Sequence, residues 1–444
     1  AWSTKEKLST TNEDVIRDAL TTAPNLPVKN PDGSWAGATT VEFGSNAQYA
    51  PRNPIAMASI IKNYLDRDGI LGGAYAELKP MKYLTLRVSF DGNKDSKLAY
   101  TYTPEFFFGL NNNNPQATLF MEPGRNYYWN FNQLARYERN LGKTGRHWIG
   151  AMVSHEAQEW GYKGTPSMYN MVTKNRSGIP YKGSGALESY LGRINYSFDD
   201  KYILQAAIRA DGSANFTEEN RWGYFPSASV AWRVSKEKFL QDVTWLNELK
   251  LRAEYGATGN PYQSGIYTAY RPTWTAFDTA YRVGNFGNPD LTWELTKTAN
   301  FGINLNMFRN RVQIEADVFD RTTDNLLYRN DGLPAYLGTT GSGGIGAPIV
   351  NFGSLKTKGF AITVNTVNID NRAADFIWRT NFNISHFKST IQSTFAGKPL
   401  YSTAWWMNDF MGQSAVGQAP WVFYGYVAEK LFESVDEINK SAVP

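Results

Sequence analysis

TANFGINLNMFRNRVQIEADVFDRTTDNLLY, running from Thr298 to Tyr328, decides the fold. In its first half Ala299, Phe301, Ile303, Leu305 and Met307 alternate without a break with Asn300, Gly302, Asn304 and Asn306. Successive side chains of a strand point to opposite faces, so a period of two predicts a strand with one apolar and one polar face. A short polar turn follows at Phe308 to Arg311. Beyond it Val312, Ile314, Ala316 and Val318 oppose Gln313, Glu315 and Asp317. The question set by this hairpin is what lies against each face.

The same period recurs along the chain. Early strands are expected over 72–79 and 82–90, joined by a tight turn at Lys79 and Pro80, with further ones at Tyr127–Trp129–Phe131 and over 148–154. From Ala186 onward the pattern strengthens. Tyr190, Ile194 and Tyr196 oppose Ser189, Arg193 and Asn195, and Tyr202, Leu204, Ala206 and Ile208 oppose Gln205 and Arg209. Val230 and Trp232 oppose Ser229 and Arg233, while Leu249, Leu251, Ala253 and Tyr255 oppose Glu248, Lys250, Arg252 and Glu254. Phe360, Ile362 and Val364, then Phe376, Trp378, Phe382 and Ile384, continue the series. Helical period is confined to short pieces at 12–21 and 236–242. The chain reads as all-β.

Composition narrows what such a protein can be. The 444 residues carry no Pro-rich or Gly/Ser-rich linker, so one architecture over 1–444 is expected. The formal charge of +4 is small and the cations are scattered among acids, which argues against nucleic acid. There is no cysteine, which excludes disulfides and Cys-type zinc sites and suits passage through an oxidising compartment. Aromatic residues reach 15%, more than a soluble surface needs. No stretch approaches the roughly 18 to 20 apolar residues of a spanning helix, and the opening AWSTKEKLSTTNEDVIRDAL has neither the basic start nor the apolar core of a signal peptide.

Connection lengths supply the second signal. From Ala186 the links run short (197–201), long (210–226), moderate (235–247), very long (257–290), short (308–311), long (321–353) and short (368–374), which places the long links at one end of the sheet. A meander with tight turns at one end and long loops at the other is the plan of a transmembrane antiparallel up-and-down β-barrel. On that plan Phe301, Ile303, Leu305 and Val318 face lipid, whereas Asn304, Glu315 and Asp317 face the lumen. A large soluble sandwich, lectin or propeller would also alternate, burying its apolar faces between sheets. The ionisable groups on the polar faces require one wet side, because burying an unpaired charge costs several kcal/mol.

Longer runs carry a family resemblance. GRINYSFDDKYILQAAIRADGSANF from Gly192, NRWGYFPSASVAWRVSKEKFL from Asn220 and LKLRAEYGATGN from Leu249 occur in that order. NPDLTWELTKTANFGINL from Asn288, NFGSLKTKGFAITVNTVNI from Asn351, DFIWRTNFNISHFKSTI from Asp375 and GQAPWVFYGYVAEKLFESVDEI from Gly417 follow. Earlier, APNLPVKNPDGSWAG from Ala23 and DGILGGAYAELKP from Asp68 fit the same series. Together they resemble the barrel of the SusC/RagA family of TonB-linked (TonB-dependent) outer-membrane transporters, over most of the chain.

The resemblance implies import of glycan fragments or oligopeptides across the outer membrane of a Bacteroidota-type Gram-negative bacterium. It further implies a SusD-like lipoprotein partner closing over the barrel, energy from the inner membrane through TonB, and a dimer of transporter and lipoprotein pairs. It also implies that this chain is a piece of a larger protein. The family's N-terminal extension, TonB box and plug domain are expected upstream of Ala1, and its last barrel strands after Pro444. At roughly 37 residues per strand, a plugged barrel of about 22 strands needs about 800 residues.

Sites for chemistry are sparse. Gly341-Ser342-Gly343-Gly344-Ile345-Gly346 matches a dinucleotide pattern, but no strand leads into it and no helix follows. His147, His155 and His386 lack metal spacing. Glu156 with Glu159, or Asp211 with Glu218, could be imagined as glycosidase pairs, although lumen or loop charges explain them more simply. Asp211 and Gly212 read as turn-formers, and Pro226 and Pro289 as the first residues of strands. Neither a catalytic residue nor a cofactor or metal site is expected.

Binding should therefore fall to loop aromatics: Trp222, Tyr224, Tyr262, Tyr267, Tyr270 and Trp274 could stack on sugar rings or peptide side chains. Their alternative role is loop packing or a girdle at the lipid interface. Rival readings of the whole are a soluble or surface carbohydrate-binding or adhesive β-protein, and a glycan-degrading enzyme.

Overall fold

The structure is a computed structural model. It describes residues 2–8, 12–22, 27–37, 53–107, 113–142, 145–174, 176–178, 180–261, 265–274, 279–329, 337–338, 345–394, 397–403, 410–425, 427 and 431–441. Two compact units emerge, one made of Ala1–Pro80, Thr85–Leu134 and His155–Glu188, the other of Met81–Leu84, Ala135–Ser154 and Ser189–Pro444.

In the first unit the sheet order follows the chain, from Trp2–Leu8 through those parts of Lys62–Met81, Leu84–Thr103, Thr118–Leu141, His147–Gly164 and Tyr181–Phe198 that fall within it. Its small apolar core lies off the sheet, around the helix Pro54–Ile60. There Ala56 and Met57 are buried against Trp35, Ile60, Ile61 and Phe106. Asn53 starts that helix by accepting from the Ala56 amide at 3.0 Å, and its Nδ2 donates to the Val28 and Ala36 carbonyls at 2.9 Å each. One buried amide thus caps the helix and clips it to the preceding loop.

In the second unit Tyr202–Ser213, Trp222–Arg233, Leu246–Asn260, Glu294–Met307, Val312–Asp324, Ser354–Asn371 and Phe376–Ser393 pair consecutively, all antiparallel. The register aligns the alternation expected from sequence. Leu251, Ile303, Ala316, Ile362 and Ile384 stand in one row, and Lys250, Asn304, Glu315, Thr363 and Asn383 in the next. Where Ser354–Asn371 would drift out of phase, the pairing skips Asn368, so that Ile369 meets Trp378 and rejoins the apolar face.

That apolar face is uncovered. Phe301 is 47% and Val318 54% exposed, and Ile194, Ile208 and Val230 are similarly open. A sandwich would bury these side chains under a second sheet, and among the described residues no sheet does so. Charges close the band at the loop end, where Lys356 and Lys358 pair with Asp320 at 3.2 and 3.5 Å and Lys297 pairs with Asp324 at 3.1 Å. Aromatics close it at the turn end: Tyr202 stacks on Trp232 at 6.4 Å and Trp245 meets Phe308 at 6.1 Å. Between those limits, Ala299 to Met307 spans about 27 Å at about 3.4 Å per residue, close to the ~25 Å apolar band of a membrane barrel.

The turns at that end are tight. Asp199 and Asp200 take φ of 54° and 55°, which short polar side chains tolerate. Phe308, Arg309 and Asn310 all adopt left-handed backbone, with the bulky Phe308 held by Trp245. At the other end the long links carry structure of their own. The 257–290 link holds a hairpin, Ala269–Trp274 with Thr279–Asn285, and the 321–353 link another, Leu327–Arg329 with Ile349–Asn351.

Several local expectations are corrected. Asn12–Thr21 is a helix as expected, but 236–242 is not; it forms two 3-10 turns, Val234–Lys236 and Lys238–Leu240, too short to expose a helical stripe. The first hairpin turns at Lys82 and Tyr83 rather than at Lys79 and Pro80, because a proline's fixed φ suits extended backbone and Pro80 stays within Lys62–Met81. Asp211 and Gly212 belong to the strand Tyr202–Ser213, and Pro226 sits inside Trp222–Arg233 opposite Ile208. Pairing with the following strand starts only at Ser227, so the missing Pro226 N–H leaves no gap in that ladder.

Candidate functional site

The polar face of the second unit is built around Arg252. Its Nε donates to Asn304 Oδ1 at 2.7 Å, while Nη2 reaches Asp317 at 3.1 Å and Glu315 at 3.2 Å, and Nη1 reaches Glu254 at 3.4 Å. Asn300 adds a donor to Asp317 at 3.0 Å. The register Arg252–Gly302–Asp317 explains the reach, since the missing side chain at Gly302 leaves the middle strand open for the guanidinium to cross. One cation meets three carboxylates, which makes this a charged, hydrogen-bonded wall with acceptors left over for a solute.

Toward the loop end the same face tightens into a buried cluster. Arg209 grips Asp211 with two bonds from Nε, at 2.7 and 2.9 Å, and donates from Nη2 to the buried Ser189 hydroxyl at 2.9 Å. Phe216 and Phe225 meet Trp293 at 5.2 and 5.3 Å, beside the fully buried Leu291. Polar clips fasten the loops to this cluster. Trp293 Nε1 donates to the Arg221 carbonyl at 3.1 Å, Asn215 to Pro261 at 2.7 Å, and Asn351 exchanges two bonds with the Thr292 backbone at 2.9 Å each. The second unit therefore has its main aromatic core under its long loops, a location the strand alternation did not reveal.

On this base stands the 269–285 hairpin. Ile266 is buried at its foot, while Tyr267 is 76% and Tyr270 64% exposed. Tyr281 is 72% exposed and shares a hairpin face with Tyr270, because Pro272 pairs with Tyr281 and Tyr270 with Val283. Sequence reading missed Tyr281, although the alternation in TAYRVGN could have flagged it.

The other expected contact residues scatter. Trp222 and Tyr224 are exposed and lie on the face that carries Val230 and Trp232, with Trp222 meeting Tyr190 at 6.0 Å. Tyr262 lies outside the described residues, and of Trp274 only the backbone, at the end of Ala269–Trp274, is described. Phe301, Ile303, Leu305 and Val318 share one face, and Asn304, Glu315 and Asp317 the other.

The remaining chemical candidates are also placed. Glu156 and Glu159 occupy opposite faces of His147–Gly164, and Glu159 accepts from the Tyr127 hydroxyl at 2.6 Å. Asp211 is committed to Arg209, and Glu218 stands in an exposed turn. His147 Nδ1 lies 2.8 Å from the Tyr196 hydroxyl, His155 Nε2 lies 3.2 Å from Glu188, and His386 faces the Phe360 ring. Gly341 to Gly344 lie outside the described residues, and Gly346 bridges to Asn285.

At the turn end three carboxyls are held below their ordinary range. Asp199 is lowered by the Arg146 guanidinium that clasps it, Asp200 by Lys236 and then Arg233, and Glu237 by the Tyr202 hydroxyl and the Trp232 indole. These groups tie consecutive turns together beside the aromatic row.

An exposed apolar band, a charged opposite face, tight turns and structured long loops match one group of known proteins. A family model described as TonB dependent receptor-like, beta-barrel, covers residues 10–427. The chain is 28% identical over 408 residues to the TonB-dependent receptor SusC of Bacteroides thetaiotaomicron, covering 83% of this chain and 39% of that protein. A TonB-dependent receptor of Formosa agariphila is 29% identical over 399 residues, covering 84% and 38% respectively. Among solved structures, that of the RagAB peptide transporter superposes with a TM-score of 0.74 at 21% identity, over 88% of this chain and 43% of that one. The chain spans about two fifths of the length of the curated relatives it matches. With the family model extending over nearly all of it, and with the SusC/RagA likeness of its motifs met by both kinds of relative, this chain belongs to the TonB-dependent receptor-like β-barrel family.

Proposed function

We propose that the chain forms part of the membrane wall and outer loops of a SusC-type outer-membrane importer. The observation that carries this reading is the uncovered apolar band of about one membrane thickness, backed by the Arg252-centred polar face. In this reading Phe301, Ile303, Leu305 and Val318 contact lipid, and Asn304, Glu315 and Asp317 contact the aqueous interior.

The cargo is a glycan fragment or an oligopeptide, held by contacts that form and release without bond making. Tyr267, Tyr270 and Tyr281 offer flat apolar surfaces for sugar rings or peptide side chains, and the carboxylates around Arg252 offer acceptors behind them. Trp222 and Tyr224 fit the other role open to them, an aromatic girdle at the lipid boundary. RagAB, whose fold this chain shares, is a peptide transporter, and the resemblance of the sequence motifs implies glycan fragments or oligopeptides. Partners in this proposal are a SusD-like lipoprotein over the loops and TonB, the latter engaged through a segment outside this chain, within an assembly of two transporter–lipoprotein pairs.

The test is to tag the full-length protein that contains this chain in its native host, separate outer membranes from soluble material, and identify what copurifies. Recovery in the outer membrane with a lipoprotein, and loss of labelled glycan or peptide uptake when the gene is deleted, is the expected result. Recovery as a soluble protein with no lipoprotein would replace it with the adhesive or binding reading.

A further inference from the structure

A basic depression in the first unit points to a ligand of its own. It measures about 660 Å³, and its lining includes Ser96, Lys97, Arg125, Lys163, Thr165, Tyr181 and Lys182. The neighbours of these residues divide them between the two faces of the sheet. Lys97 pairs with Glu122 at 3.2 Å, Asn126 donates to Asp95 at 2.9 Å, the Tyr181 hydroxyl bonds Glu122, and the open sides of Gly124 and Gly164 are filled by Lys97 and Tyr181. Those groups share the polar face. Side chains alternate along a strand, so Ser96, Arg125, Lys163, Thr165 and Lys182, each one residue away, stand on the opposite one.

That opposite face also carries Tyr127, which reaches Glu159, and Trp129, which stacks on Phe90 at 6.4 Å. Along Thr118–Leu141 the order on this side is Arg125, then Tyr127 and Trp129, then Phe131. Cation, aromatic pair and hydrocarbon follow one another as they would on crossing from headgroups into a bilayer. Among the described residues Arg125, Lys163 and Lys182 have no carboxylate partner, whereas in the second unit Lys356 and Lys358 share Asp320.

We infer that Arg125, Lys163 and Lys182 bind the phosphate of an anionic lipid headgroup, with the Ser96 and Thr165 hydroxyls completing the site. Three unpaired cations set beside an aromatic boundary are complementary to a phosphate whose acyl chains extend along the apolar face. This inference rests on the proposed reading of that face as lipid-facing.

The experiment uses the full-length protein that contains this chain, in nanodiscs holding phosphorylated or dephosphorylated lipid A, with retained lipid counted by native mass spectrometry. The wild type is expected to retain the phosphorylated form about 10- to 100-fold better. An Arg125→Gln/Lys163→Gln/Lys182→Gln variant should lose that preference, and Lys356→Gln/Lys358→Gln should keep it. Equal retention by wild type and triple variant overturns the inference. Displacement of the lipid by millimolar inorganic phosphate also overturns it, in favour of a soluble anion. Failure of the underlying reading is separately visible: this chain has no cysteine, so Val318→Cys and Asp317→Cys can be labelled and compared with a lipid-soluble quencher. Quenching confined to Val318→Cys leaves the membrane reading standing whatever the lipid counts show, and its absence removes that reading.

Discussion

Arg252 donates to Asp317 at 3.1 Å across Gly302, two strands away, because the glycine between them presents no side chain. A Cβ at Gly302 would come within 2.4 Å of Asp317 Oδ1 and 2.7 Å of Arg252 Nη2. Gly302→Val should therefore break the bond and leave Asp317 and Glu315 facing each other without their shared cation. Arg252→Met should do the same without steric strain, at a cost of about 2 kcal/mol from the lost charged hydrogen bonds. Chemical unfolding of the reconstituted protein measures both. Equal stability of Arg252→Met and wild type would show that the network is idle.

Ile303 and Thr363 stand in adjacent rows of the same sheet but on opposite faces. On the proposed reading Ile303→Arg places a charge mid-band against lipid and should cost about 2 to 4 kcal/mol, whereas Thr363→Arg, beside Glu315, should cost less than about 1 kcal/mol. The pair is read by unfolding in lipid. Reversed costs would mean that the polar face is the one against the membrane.

These two cases show why so much of the sheet was legible. A period of two needs only the residue types of one strand, and the Thr298–Tyr328 hairpin declared both faces and its turn outright. The aromatic core could not be read the same way. Phe216, Phe225, Leu291 and Trp293 come from three separate segments, and nothing in their local sequence says that Trp293 will meet Phe216. Strand ends failed for a related reason: ADGS looks like turn chemistry and Pro226 like the first residue of a strand, yet cross-strand pairing of Asp211 with Gly223 and of Ile208 with Pro226 overrides local preference. Tyr281 lies in the 257–290 link, which enters the strand reading by its length alone.

Tyr270 and Tyr281 are exposed on a hairpin, and Tyr267 at its foot next to the buried Ile266, so truncating them should alter binding and leave folding intact. Each change to alanine should weaken cargo binding by about 1 kcal/mol, roughly fivefold, as measured by calorimetry with the cargo recovered from the native complex. Trp222→Ala and Tyr224→Ala, on the Val230 face, should leave the affinity unchanged. An affinity lost through Tyr224→Ala and kept in the hairpin variants would transfer the contact surface to the strand.

Asp199, Asp200 and Glu237 make the turn end sensitive to acid. Their folded values are depressed below the ordinary 3.8 for aspartate and 4.5 for glutamate by Arg146, Lys236 and Tyr202 respectively. A depressed carboxyl contributes stability that is fully present above its unfolded value and is lost as pH falls through the folded one. Hydrogen exchange, corrected for intrinsic rates, should therefore show the Asp199 and Arg233 amides, bonded to Arg146 and Lys201, equally protected from about pH 8 down to about pH 5. Protection should then fall below about pH 4. Arg146→Gln should remove the step at the Asp199 amide and leave the one at Arg233, where Asp200 is still held by Lys236. Protection that declines instead between about pH 8 and pH 6 would mean that these carboxyls do not govern this end of the sheet.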